Sequence, residues 1–170
     1  MKKNISESIG YKAKSVCDIT NVTYRQLDTW TTSGLINASV CLGEGSGKHR
    51  LYSFSDILLV KLIKEFSNLG ISTQKIRSVI ESLRKRGVDD LSSISLFSDG
   101  VSVYECKNNE EIVDLLKGGQ GVFGIAVGKI QENLEQDVVR FPSVHIGITD
   151  DIESNDVTKE EKSERKANRI

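Results

Sequence analysis

The stretch from Gly43 to Asp56, GEGSGKHRLYSFSD, holds the residues best suited to chemistry. Three glycines alternate with other residues, then come Lys48, His49 and Arg50, then Leu51, Tyr52 and Phe54. Two uses fit such a stretch: cradling the phosphates of a nucleotide, or gripping nucleic acid from the tip of a hairpin. A P-loop needs Gly, four residues, Gly-Lys, and then a Ser or Thr to reach magnesium. Counting back from Gly47-Lys48 puts Leu42 where the first glycine belongs, and His49 stands where the hydroxyl belongs. No apolar run reads as a buried parallel strand feeding the loop. A flexible tip between two strands fits better, and its charge then needs a purpose.

No other set of residues completes a catalytic role. Gly119 to Gly124, GQGVFG, spells GxGxxG, but it follows a helical pattern rather than a strand. A dinucleotide site also wants an acidic residue about 20 positions on within a βαβ unit, and that context is missing. These glycines read as turn and close-packing positions. The two histidines, His49 and His145, are far apart. The carboxylate pairs Asp89-Asp90 and Glu110-Glu111 are sequence neighbours, which suits a linker and a helix N-terminus rather than a shared cleft. Cys17, Cys41 and Cys106 form no CxxC pair and no zinc spacing, so they read as reduced thiols. The expectation is a protein that is not an enzyme and holds no metal or cofactor.

The totals narrow the class. A chain of 170 residues allows one domain or two small ones. With 38% hydrophobic and 28% charged residues it reads as a soluble globular protein with a modest core. No apolar run approaches the roughly 18 residues of a membrane helix. The opening MKKNISESIG has two lysines but no apolar stretch behind them, unlike a secretory signal, so a cytoplasmic location is expected. The net charge of −1 hides an asymmetry. Residues 1–90 carry 14 Lys and Arg against 9 Asp and Glu, whereas residues 91–170 carry 9 against 15. A basic first half joined to an acidic second half suggests a polyanion-binding module fused to something else.

The elements that would position the basic residues follow from local patterns. Lys14 to Thr20 is long enough for a two-turn helix. Asn21 tolerates the left-handed backbone of a tight turn. Thr23 and Gln26 form a capping box for the next helix, on which Leu27 and Trp30 share one face and which Gly34 stops. Two short helices and a tight turn make a helix-turn-helix. Ser39 to Leu42 and Arg50 to Phe54 flank the glycine tip as a hairpin, or wing, which Leu51 and Phe54 pack onto the helices. Ser53 and Asp56 cap a largely buried helix through Leu69, ending at Gly70. Ser72 opens another, with Ile76, Val79, Ile80 and Leu83 at helical spacing. Its end, Arg84-Lys85-Arg86, suits the negative end of its own dipole, or a phosphate patch.

After Gly87 the texture changes. SISLFSDGVSVYEC is a hairpin with Asp99-Gly100 at its turn. NNEEIVDLLKGG is a short helix, VFGIAV an extended segment, and Val127, Ile130, Leu134 and Val138 mark an amphipathic helix. That helix is a candidate dimer surface or, equally, a core helix of its own domain. Pro142 closes the unit, and the charged remainder reads as a disordered tail.

In a helix-turn-helix the N-terminal residues of the second helix meet base edges in the major groove. Here those are Tyr24, Arg25 and Asp28. Arg25 can donate twice to guanine, worth about 1–3 kcal/mol of discrimination. Tyr24 can reach a phosphate or stack. Asp28 would accept from a cytosine amine or orient Arg25. In the wing, Lys48, His49 and Arg50 supply cations and donors to phosphates, and Tyr52 a hydroxyl.

The run SVCDITNVTYRQLDTWTTSGLI, followed by SGKHRLYSFSDILLVKLIKEFSNLGISTQKIRSVIESL, resembles the MerR family of bacterial transcription regulators. Trp30, Gly34-Leu35, Arg50-Leu51-Tyr52-Ser53, Asp56, Gly70-Ile71-Ser72 and Ile76 carry the likeness, over about Tyr11 to Arg86. The resemblance implies double-stranded DNA as partner, with Tyr24, Arg25, Arg50 and Tyr52 at DNA-contact positions. It implies a homodimer on an inverted repeat. It also implies distortion of a promoter, so that RNA polymerase can engage it. The second half departs from the family's metal sensors, so metal sensing is not implied. It resembles the C-terminal domain of another branch, which binds an effector of unidentified chemistry or only makes the dimer.

The expected fold is mostly α with small β. A flexible N-terminus (1–10) precedes a winged helix-turn-helix domain (11–86), then a small α/β dimerisation or effector domain (87–141) and a disordered charged tail (142–170). The alternative is an adaptor of segregation or sporulation type, whose winged helix chiefly binds protein and touches DNA only non-specifically.

Overall fold

A computed structural model describes residues 9–41, 50–86, 91–116 and 121–145. The glycine tip with Lys48 and His49, residues 1–8 and residues 146–170 lie outside the described residues.

Strand β1 (Ile9–Lys12) leads into helix α1 (Ala13–Thr20). The turn after α1 depends on Asn21, which adopts the left-handed conformation at φ 55°. Asparagine is one of the few side-chain-bearing residues that enters this region readily, so the two helices can follow each other with little linker. Helix α2 (Tyr24–Thr32) starts with the expected capping box. The Gln26 N–H donates to Thr23 Oγ1 at 3.2 Å, and the Thr23 N–H donates to Gln26 Oε1 at 3.0 Å. At its end Gly34 takes φ +72°. The Leu35 N–H then reaches the Trp30 carbonyl and the Gly34 N–H reaches that of Thr31. This paired C-cap satisfies carbonyls that would otherwise be orphaned.

Strands β2 (Val40–Cys41) and β3 (Arg50–Tyr52) pair antiparallel, with Val40 opposite Leu51. Strand β3 also pairs with β1, and β1 with β7 (Val144–His145), in the order β2-β3-β1-β7. Residues 144 and 145, and residues 9 and 10, were expected in loose termini. They are instead ordered against each other, Ile9 opposite His145 and Gly10 opposite Val144. The edge of β1 offers backbone partners that a tail-like composition does not reveal. A side chain at Gly10 would meet Leu51 Cβ at 2.9 Å, so the close approach of β1 to β3 needs glycine there.

Helix α3 (Phe54–Asn68) also begins with a capping box, Ser53 with Asp56. Asp56 Oδ2 additionally accepts from the Ser39 N–H at 2.9 Å, which ties the start of the hairpin to the start of α3. Ile57, Leu58, Leu59, Val60, Leu62, Ile63 and Phe66 are all buried, so α3 is the central helix. Burying each such side chain stabilises the fold by about 1.5–3 kcal/mol relative to exposure. Helix α4 (Thr73–Arg84) buries Ile76, Ile80 and Leu83 and packs on α3.

The second half forms an antiparallel sheet of β4 (Ser95–Ser98), β5 (Val103–Cys106) and β6 (Phe123–Ala126), in the order β5-β4-β6. Its hairpin turn holds Gly100 at φ +84°, and Asp99 Oδ1 accepts from the Val101 N–H at 2.8 Å. Within GQGVFG, Gly124 is the close-packing position: a Cβ there would lie 2.9 Å from Phe97 Cε1. Helix α5 (Asn109–Leu116) packs against β5. Helix α6 (Val127–Val138) buries Val127, Gln131, Leu134 and Val138. That apolar face lies against α3 and α1 within the chain, and one buried cluster joins both halves. The face is therefore occupied in the protomer and is not a free dimer surface.

Among the described residues, no helix is long and apolar enough to cross a membrane, and no group of three or more His, Cys, Asp or Glu could hold a metal ion.

Candidate nucleic-acid interface

The capping box at Thr23 sets the direction of the first turn of α2. Tyr24 is 66% exposed and Arg25 is exposed, while Leu27, one turn on, is 1% exposed. Trp30 is partly buried and packs on the core. The apolar side of α2 is thus fastened, and its N-terminal polar side is offered to solvent.

Strand β3 brings Arg50 beside this turn. Arg50 Nη1 donates to Asp28 Oδ1 at 2.8 Å. Asp28, expected to orient Arg25 or accept from a cytosine amine, pairs with Arg50 in the free protein. The hairpin carries Arg50 across to α2, a tertiary approach that a local reading of the helix does not contain.

Tyr52, expected to offer a hydroxyl to phosphate, is 1% exposed, and its hydroxyl pairs with Thr31 Oγ1 at 3.0 Å. Burial pushes its phenol above the ordinary value, and the hydrogen bond to Thr31 opposes that shift. Tyr52 joins β3 to α2 from beneath and holds the surface in register. Lys48 and His49 lie outside the described residues.

Two basic residues outside the sequence expectation, Lys12 and Lys14, stand beside these. Lys12, Lys14, Tyr24, Asp28 and Arg50 line one open hollow of about 560 Å³, floored by Ala13, Leu27 and Tyr52. Lys14 lies 3.6 Å from Asp18, and both are well exposed, so this pair restrains it little. The available signal was position: Lys12 and Lys14 stand at the N-terminus of α1, where the helix dipole disfavours cations.

The far end of the same pair of helices is held by cations from the scaffold. Lys61 Nζ donates to the Ile19 carbonyl at 3.5 Å, Arg77 Nη2 to Ser33 at 3.1 Å, and Arg84 Nη2 to Leu35 at 2.6 Å. Arg86 donates from both terminal nitrogens to the two oxygens of Glu105, each at 2.7 Å. Arg84 and Arg86, read as partners of their own helix dipole or of phosphate, thus serve other elements.

The MerR HTH family regulatory protein profile matches residues 11–83. Proteins of Mycobacterium bovis and of two Mycobacterium tuberculosis strains, CDC 1551 and H37Rv, are each named an uncharacterized HTH-type transcriptional regulator. Each is 50% identical to this chain over 135 residues, which is 79% of the chain. The match spans 60% of each relative's own length. A match of 135 residues extends far past residue 83, so the likeness takes in the second half as well. Residues 11–83 form a helix-turn-helix domain of the MerR family.

Proposed function

We propose that the protein is a sequence-specific DNA-binding transcriptional regulator, acting in the cytoplasm as a homodimer on an inverted-repeat promoter site. In this reading residues 11–86 are a winged helix-turn-helix and residues 87–141 a dimerisation or effector unit. The observation that supports it most is the fastening of α2: Leu27 is locked inward while Tyr24 and Arg25, one turn back, face solvent beside Arg50. The first turn of such a helix enters a major groove. Arg25 would read a guanine edge, and Tyr24 would contact backbone or base. Lys12, Lys14, Arg50 and, at the wing tip, Lys48 and His49 would neutralise phosphates. Deformation of the promoter, with RNA polymerase engaging the distorted site, completes the reading. Names of the mycobacterial relatives support regulation as the role.

Selection of bound duplexes from a random pool, with full-length protein at roughly physiological salt, tests it, because salt screens non-specific phosphate contacts. The expected result is an enriched inverted repeat. A folded protein that enriches no sequence, alone or with cell extract supplying an effector, would favour a protein-binding adaptor instead.

A further inference from the structure

Three arginine contacts run from α4 and the turn that ends it. Arg77 and Arg84 hold the carbonyls of Ser33 and Leu35, the residues that end α2. Leu35 is fixed from its other side too, since its N–H is bonded to Trp30. Two residues beyond Arg84, Arg86 makes its two-pronged pair with Glu105 on β5, and the Arg86 N–H closes the last turn onto Leu83 at 3.0 Å. The stretch from 84 to 86 is therefore short and tied at both ends. A two-pronged guanidinium–carboxylate pair fixes orientation as well as distance. Its side chains are 30% and 25% exposed, so solvent weakens it less than it weakens a surface pair.

We propose that Glu105 is a positioning residue for DNA binding: through Arg86 it sets the end of α4, and through Arg84 that end sets the C-terminus of α2. The second sheet thereby governs how Tyr24 and Arg25 are presented, although Glu105 lies outside the DNA-facing surface. This rests on the DNA-binding reading above. It also gives an effector unit in residues 87–141 a physical handle on the recognition helix, because a shift of β5 would be felt at Leu35. Packing alone also joins the halves, through α6 on α3 and α1, but that contact reaches neither Ser33 nor Leu35 by any hydrogen bond described.

The test uses the full chain with Glu105→Gln, which keeps the size of the side chain and removes its charge. Dissociation constants are measured for the selected duplex and for random duplex, together with the amide NMR signals of Leu35 and Ile36. Weaker binding of the selected duplex by about fivefold or more is expected, the lower end of typical coupling between sites. Random-duplex binding should stay unchanged and both amide signals should move. Exchanging the pair, Glu105→Arg with Arg86→Glu, should recover most of the loss. A lower melting temperature with wild-type affinity ratio and unmoved amides would overturn the proposal and leave Glu105 a purely structural residue. Moved amides with an unchanged affinity ratio would overturn it equally. Should Glu105→Gln not fold, Glu105→Asp shortens the same contact and carries the same readouts. If the wild type selects no duplex, the DNA reading fails, and the Leu35 and Ile36 amides still decide whether Glu105 acts on α2.

Discussion

Arg50 of strand β3 and Asp28 of helix α2 form an ion pair at 2.8 Å, which bridges the hairpin to the helix that faces solvent with Tyr24 and Arg25. The two side chains are about half exposed, so the pair contributes about 0–1 kcal/mol to stability. Its value is in placement. Asp28 holds the guanidinium beside the first turns of α2, and under the proposed function it keeps one negative charge where phosphates would approach.

Asp28→Asn should therefore leave the melting temperature nearly unchanged and alter selectivity. Random-duplex affinity should rise severalfold, because an anion near the DNA backbone is removed. Affinity for the selected duplex should rise less, so the ratio falls. Titration of both duplexes at one salt concentration checks this.

Tyr52→Phe separates positioning from contact. The hydroxyl is bonded to Thr31 Oγ1, and Thr31 keeps its own bond to the Leu27 carbonyl. Loss of this partly buried hydrogen bond should destabilise the protein by about 0.5–1.5 kcal/mol. Affinity of the folded variant for DNA should stay near wild type. A large drop in affinity without a stability change would mark Tyr52 as a DNA contact.

Gly128 sits in the first turn of α6, where an added Cβ would collide with the backbone carbonyl of Ser92. A carbonyl cannot rotate aside as a side-chain tip can. Gly128→Ala should cost about 1–3 kcal/mol or more, as overpacking does. The denaturant midpoint measures this, with Gly121→Ala as control, since a Cβ at Gly121 meets nothing within 4 Å.

Acid should loosen the contact between the two halves. The hydrogen bonds from Arg86, then its charge and that of Lys107, hold the Glu105 carboxyl below its ordinary value of 4.5. A folded-state value below the unfolded one means the stabilisation is complete above about pH 4.5 and is lost as pH falls through the depressed value. Asp99 is depressed too, by the backbone N–H groups of Ser102 and Val101, and adds the same sign. Thermal melts across the acid range should show stability falling with pH, and Glu105→Gln should flatten part of that dependence.

Much of the N-terminal half was legible because its signals are local. Thr23 with Gln26, Ser53 with Asp56, Asn21, Gly34 and Gly70 each act within a few residues, and all five hold in the structure. The hairpin at Asp99-Gly100 was legible for the same reason. What escaped depends on residues far apart in sequence. Asp28 meets Arg50, Arg84 meets Leu35, and Arg86 meets Glu105 only once the helices pack. The burial of Tyr52 escaped too, because a short strand beside a basic loop gives no sign of which face is covered. Strand β7 escaped because two residues cannot show an alternating pattern, and their partner is 134 positions away in the case of Gly10 and Val144.

The central claim is that α2 reads bases through Arg25. Its most direct measurement is the affinity of wild type and Arg25→Ala for the selected duplex and for every single-base variant of one half-site. The account predicts that Arg25→Ala loses about 1–3 kcal/mol of discrimination at one base pair per half-site and little elsewhere. Equal weakening across all variants, with the preference at every position intact, would contradict it.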